Sequence, residues 1–179
     1  MLIYGFIQEK RINSADLFER IALTYIRLFF SFMLQLVFDA YPFRHRENSG
    51  KKEIFDSLRK KWVRLTPEEW VRQNWVQWMV QTMGYPPEMI GVEKQIQLGE
   101  LNKRFDLLVY NQRHQPWLLI ECKSMDVSLN KEVLDQLLRY HLELPAHYLL
   151  ISNGTHSYLW KKEPGGLKEM DQMPAWGSD

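Results

Sequence analysis

The sequence predicts a mixed α/β fold, a β-sheet flanked by helices with a β-hairpin at its N-terminal side. Short apolar stretches bounded by turn residues recur between residues 39 and 161, and two stretches of helical period interrupt them. Asn153-Gly154, the dipeptide of a two-residue hairpin, joins the last two strands. With 45% hydrophobic and 13% aromatic residues, the 179-residue chain carries enough apolar material for one domain core.

Residues 21–38, IALTYIRLFFSFMLQLVF, open the series with Arg27 as their sole charge. Their length approaches that of a membrane span. The reading adopted is instead an apolar helical extension over residues 1–38, starting near Ser14 or Asp16, and a membrane is not expected as a partner. A secretory signal would need a basic leader and a small-residue cleavage site, and Asp39-Ala40-Tyr41 supplies no convincing one. A translation start at Met33 is a separate hypothesis, which peptides from residues 1–32 in native protein would sink.

Residues 39–46 and 53–65 read as two strands joined across Glu47-Asn48-Ser49-Gly50. Thr66-Pro67-Glu68-Glu69 then offers an N-cap, a proline at the first helical position and a glutamate at the third. The helix runs to Met83, capped by Gly84 and stopped by Pro86-Pro87. Its face of Trp70, Val71, Trp75, Trp78, Met79 and Met83 reads as core and not as a ligand cage. Strands follow at 90–98, 104–110 and 117–123, with a hairpin turn at 111–116. The stripe Val133, Leu134, Leu137, Leu138, His141 marks a helix over 129–144, and strands at 147–152 and 155–161 close a domain of residues 39–163. Residues 164–179, rich in Gly, Pro and Met, read as a loosely held, flexible end.

A net charge of +1 points to no partner, but its distribution is uneven. Arg44, Arg46, Lys51, Lys52, Arg59, Lys60, Lys61 and Arg64 face only three acids over the same stretch. Such a cluster suits phosphates; the competing reading is a solvated hairpin whose lysines discourage edge pairing. The single cysteine, Cys122, rules out an intramolecular disulfide and a Cys-rich zinc site, so a reducing compartment, the cytoplasm, is expected.

The stretch Leu118 to Lys123, LLIECK, sets two charges on an apolar strand. Alternation places Glu121 and Lys123 on one face and Ile120 and Cys122 on the other. A hairpin from the preceding strand brings Asp106 beside Glu121. Burying such groups uncompensated would cost several kcal/mol, so either ion pairing or a metal must balance them. Mg²⁺ or Mn²⁺ held by Asp106, Glu121 and the main-chain carbonyl of Cys122, with Lys123 beside it, is the donor set of metal-assisted phosphodiester hydrolysis.

The pattern Asp106-x14-Glu121-x-Lys123 resembles the PD-(D/E)XK nuclease superfamily. Five ordered pieces are similar to the N-terminal nuclease domain of type I restriction enzyme R subunits: TPEEWVRQ (66–73), KRFDLLVY (103–110), LLIECK (118–123), LDQLLRY (134–140) and ISNGTHSYLW (151–160). The likeness covers residues 40–161, and Phe105 stands where the superfamily name has proline. It implies a restriction-endonuclease-like fold and a Mg²⁺-dependent hydrolase of DNA, an endonuclease-type module for restriction, defence or DNA processing, with other restriction or DNA-processing subunits as partners. It also implies that Gln136 and Tyr140, at i and i+4 on one helix face, lean on the active site, and that Glu69 completes the metal shell, Glu68 competing with it. Arg72 has two readings, phosphate contact or carboxylate pairing, and the DNA-binding set is Arg44, Arg46, Lys51, Lys52, Arg59, Lys60, Lys61 and Arg72. The chain carries no G-x-x-x-x-G-K-[ST] phosphate loop, so a nuclease module without a motor is expected. The alternative is a non-catalytic nucleic-acid-binding or assembly module on the same fold.

Overall fold

The computed structural model describes residues 34, 38–98, 101–141 and 145–178, without the side chains of 95–98, 101–103, 136, 137 and 139–141. The chain divides into two compact units, Met1–Phe32 and Met33–Asp179, and the described elements all belong to the second. The helical extension expected over 1–38 lies outside the described residues except at Leu34 and Phe38, neither of which is helical. Among the described residues, no helix is long and apolar enough to cross a membrane.

Strands β1 (His45–Asn48), β2 (Lys51–Asp56) and β3 (Lys61–Arg64) form an antiparallel sheet in that order. Ser49 and Gly50, both at positive φ (50° and 71°), make the β1–β2 turn. The single strand expected over 53–65 is in fact folded back on itself. The buried Asp56 carboxylate accepts from the Leu58 N–H at 2.9 Å and the Arg59 N–H at 2.7 Å, and Lys60 takes a φ of 53°, which turns the chain between β2 and β3.

Helix α1 (Pro67–Gln77) starts as its sequence dictates: Thr66 Oγ1 accepts from the Glu69 N–H at 3.0 Å. It passes into a π turn, Trp78–Thr82, and a short 3-10 turn, Pro87–Met89, leads to the second sheet. That sheet contains β4 (Ile90–Leu98), β5 (Leu101–Tyr110), β6 (Pro116–Cys122), β7 (Tyr148–Ser152), β8 (Ser157–Glu163) and β9 (Gly166–Met170), adjacent in chain order. Each described pair is antiparallel except β6 with β7, which are joined through helix α2 (Lys131–His141). This mixed arrangement is the expected fold class, consistent with a restriction-endonuclease-like fold.

The segment expected to be loosely held is instead tied down. Residues Gly166–Met170 pair with β8 as β9, Tyr85 donates to the Pro174 carbonyl at 2.5 Å, and Trp176 Nε1 donates to the Tyr110 carbonyl at 3.0 Å. Gly166, at φ 132°, allows the tight return into β9 that a Gly/Pro-rich composition had suggested would be a loose tail.

The sheet buries both faces. Val71, Trp75 and Met79 from α1 and the turn after it meet Leu107, Val109, Leu118, Ile120 and Cys122 on one side. Leu134 of α2 meets Leu108, Leu119, Leu149 and Ile151 on the other. Strand β6 alternates between these two cores as a strand buried on both faces must, each fully buried Leu or Ile contributing roughly 1.5–3 kcal/mol. The charges of LLIECK therefore appear at the point where this doubly buried strand leaves the core.

Candidate active site

The β5–β6 ladder pairs Leu108 with Leu119 and Leu107 with Ile120, and Leu107–Ile120 is its last pair at this end. Beyond it the side chain of Asp106 takes over: Oδ2 accepts the Cys122 N–H at 2.8 Å. A carboxylate thus stands where a strand carbonyl would have continued the ladder, and the two strands part around it. Asp106 Oδ1 accepts from Arg72 Nη2 of α1 at 2.6 Å.

Glu121 and Lys123 lie on the shared face that alternation requires, with Lys123 Nζ donating to Glu121 Oε1 at 2.8 Å. The Lys123 N–H donates to the Ser152 carbonyl at 2.8 Å, which anchors its backbone to the end of β7. Burial pushes the Glu121 carboxyl above its ordinary range, and the negative charges of Asp106 and Glu68 push it further against the pull of Lys123. Burial disfavours the Lys123 ammonium, yet Glu121, Asp106 and Glu68 together hold its pKa above the ordinary lysine value. The patch therefore has an excess of negative charge and a lysine that stays protonated.

Cys122 presents its thiol to the core on the α1 side, fully buried, as the strand alternation requires. Burial raises the thiol pKa well above normal, so the sulfur takes no part as a thiolate.

Glu69 does not join this group. It is buried, with Oε2 bonded to Arg72 and Oε1 accepting from Gln73 at 2.8 Å and Arg59 at 3.1 Å. Burial raises its pKa, opposed by Gln73, Arg72 and Arg59. The cap at Thr66 fixes this outcome, because residues 69, 72 and 73 stand at i, i+3 and i+4 on one face of α1. Glu68, with 47% of its side chain exposed and 3.4 Å from Arg72, is the helix carboxylate whose charge reaches Glu121 and Lys123.

Arg72 is bonded to Glu69 and Asp106, and Arg59 to Asp56 at 2.5 Å, to Glu69 and to Glu93. Of its two readings, Arg72 takes carboxylate pairing; neither it nor Arg59 is an open phosphate contact, since their side chains are 6% and 14% exposed. Burial opposes the Arg72 charge, but Asp106 and Glu69 hold its pKa far above normal. Asp56, Gln73 and Glu93 complete this lattice, and sequence reading missed all three. The spacing Asp56-x2-Arg59 could have signalled the first, as could Glu69-x3-Gln73 the second. Glu93 gave no signal: it sits at φ 49° within β4, off the strand's regular path.

The remaining basic residues occupy the small sheet. Arg44 lies over the Phe55 ring at 4.3 Å, and Arg46 lies over Trp62 at 4.5 Å while bonding Glu53 at 2.5 Å. Lys51, Lys52, Lys60 and Lys61 are exposed. Gln136 and Tyr140 fall within α2, but their side chains lie outside the described residues.

A family model for the type I restriction enzyme R protein N terminus matches residues 67–174. The chain belongs to that family. No curated protein matches the chain. The matched span of this type I restriction enzyme R N-terminal domain begins with α1 and includes Glu68, Arg72, Asp106, Glu121, Lys123, Gln136 and Tyr140. The small sheet β1–β3, with its basic residues, lies before that span.

Asp106 and Glu121 offer hard oxygen donors at the parting of β5 and β6. Among the described residues, no three Asp, Glu, His or Cys side chains form a ready metal cage. Mg²⁺ does not require one, since it keeps several waters and binds through one or two carboxylates. The excess negative charge felt by Glu121 is what such a cation would neutralise.

Proposed function

We propose that this chain is a Mg²⁺- or Mn²⁺-dependent deoxyribonuclease of PD-(D/E)XK type, a restriction or DNA-processing module that works with other subunits. The observation that carries it is the convergence of Asp106, Glu121 and Lys123 where the β5–β6 ladder ends. Asp106, Glu121 and the Cys122 carbonyl would hold the metal, with Glu68 at the rim in the place that the sequence resemblance gives to Glu69. The bound ion supplies Lewis-acid activation of water and phosphate.

The chain's own groups do the rest. Arg72 and the Cys122 N–H fix both oxygens of Asp106, so its carboxylate is oriented before substrate arrives. Lys123 is kept protonated by its acidic neighbours, so it does not serve as the base. It orients Glu121 and donates to charge that builds on the phosphate. Gln136 and Tyr140 on α2 would position the phosphate. Arg44, Arg46, Lys51, Lys52, Lys60 and Lys61 would hold the DNA backbone from the small sheet, while Arg59 and Arg72 brace the protein. A second reading, a binding or assembly module without turnover, draws on the engagement of both Asp106 oxygens by protein donors.

One assay separates the two. Supercoiled, linear and single-stranded DNA are incubated with wild type, Glu121→Ala and Lys123→Ala, in Mg²⁺, Mn²⁺ or EDTA. Cleavage that EDTA abolishes and that each variant loses by about 100-fold or more supports the nuclease. Equal, negligible cleavage by all three, with DNA binding intact, establishes the binding module instead.

A further inference from the structure

A groove beside the start of α1 plays no part in the chemistry above. It encloses about 530 Å³, within the range of small-ligand sites. Trp70, Val71 and Met125 give it apolar walls, and Asp39, Asn74 and Thr155 give it polar edges. Met125 is 50% exposed, the large hydrophobic side chain left open to solvent among the described residues. The loops that carry Met125 and Thr155 are fastened together. Asn153 donates to the Val127 carbonyl at 2.8 Å and accepts from the Thr155 and His156 N–H groups at 3.0 and 2.7 Å. Ser124 alone separates Met125 from Lys123 along the chain.

We propose that this groove is a nucleobase subsite, seating an unpaired base of single-stranded DNA beside the phosphodiester offered to Asp106, Glu121 and Lys123. The placement of that phosphodiester rests on the nuclease reading. An indole and a thioether supply the flat, polarisable surface on which bases stack. Among the described residues of the lining Asp39 is the ionisable one, and its charge repels phosphate while its carboxylate accepts from a ring N–H or an exocyclic amine. A base within a duplex is stacked on both faces and cannot enter such a groove without being extruded. The site thus selects unpaired strands, frayed ends or displaced single strands.

The test uses the full chain in EDTA, where nothing is cut. Fluorescence anisotropy measures the Kd for a labelled single strand of about 12 nucleotides and for its blunt duplex. Wild type should bind the single strand more tightly. Met125→Ser and Trp70→Leu should each weaken single-strand binding about five- to tenfold and leave duplex binding within about twofold. Met125→Ser, at an exposed position, keeps the fold, whereas Trp70 also packs on Phe43 at 4.9 Å. Unchanged single-strand affinity in Met125→Ser, or equal losses for both DNAs, overturns the subsite. Cleavage of the same strand in Mg²⁺ by wild type and Lys123→Ala is read in parallel. Lys123-dependent cleavage with unaltered Met125→Ser binding removes the subsite alone. A single-strand preference that Met125→Ser abolishes, without Lys123-dependent cleavage, keeps the base-binding groove and removes the nuclease.

Discussion

Glu93 shows what a single residue does in this fold. A non-glycine residue at φ 49° costs on the order of 1 kcal/mol or more. What holds it there is the company of Arg59, Arg72 and Arg104, all of which reach its carboxylate. Burial alone would raise the Glu93 pKa, but the three arginines together lower it below the ordinary 4.5. A carboxylate depressed in the folded state adds stability that is fully present above its unfolded value and is lost as pH falls through its folded one. Thermal melts of wild type and Glu93→Gln between about pH 7 and about pH 3.5 should therefore converge toward the acid end, with the variant less stable at neutral pH. A stability gap that persists unchanged at the acid end would mean that charge is not what Glu93 contributes. The same scale explains what was legible in the site. Asp106, Glu121 and Lys123 stand out in the sequence because charges on an apolar strand need compensation, which the structure supplies in part through Arg72 and the Lys123–Glu121 pair. Glu69, expected at the metal shell, is bonded to Arg59, Arg72 and Gln73, and adjacent helix carboxylates are told apart only by the face they take, which the Thr66 cap sets.

At the scale of elements, the small antiparallel sheet divides its basic residues by face. Ile54 and Asp56 point inward, fully buried, so Phe55 and Trp62 lie on the opposite side with Arg44 and Arg46 stacked over them. Guanidinium groups already held over aromatic rings lose less freedom when they meet a phosphate. Replacing Arg44 and Lys51 with alanine should reduce the slope of log K against log salt for duplex DNA by about 2, with little change in thermal stability. Arg59→Ala should do the reverse, lowering stability because it leaves Asp56 and Glu69 buried without that partner. A salt slope unchanged in the double variant would return this face to solvated surface. Elements whose signals are local were readable in the sequence: the cap and proline that start α1 and the strands β4 to β8, although the two-residue turn expected at Asn153-Gly154 is a four-residue loop, 153–156, with Gly154 and not Asn153 at positive φ. The β2–β3 turn was not, because a buried side chain makes it, without the Asn-Gly or Pro that marks such turns. Strand β9 was missed for a related reason. Its stability comes from pairing with β8 and from Tyr85 and Trp176 fastening the chain beyond it, contacts that a Gly- and Pro-rich composition conceals.

Across the whole molecule, one lattice of charges runs from the small sheet through α1 to the strand that bears Asp106. Asp56 and Arg59 join Glu69, Glu69 joins Arg72, and Arg72 joins Asp106. The family match covers the α1 to β9 part of this path and leaves β1–β3 outside it, so the lattice ties a family core to a sheet that the match does not include. This lattice pairs Asp106 with Arg72, while the Glu121 pKa is raised by burial and by Asp106, against its hydrogen bond from Lys123. A carboxyl raised in the folded state costs stability as pH rises through its folded value, so at neutral pH the metal-free protein carries a penalty at Glu121. Removing that charge and neutralising it with a cation should then have matching effects. Without metal, Glu121→Gln should melt above wild type. With Mg²⁺ at a few times its Kd, wild type should gain about 1 kcal/mol, or ~3 °C for a domain of this size, and Glu121→Gln should gain much less. EDTA should return wild type to its original melting temperature. A Mg²⁺ increment of the same size in both proteins would place the ion elsewhere, and a variant that melts lower than wild type without metal would show that Lys123 fully compensates Glu121. On the nuclease reading, function and stability would oppose each other at Glu121, because a carboxylate that is to receive a cation is costly until the cation arrives.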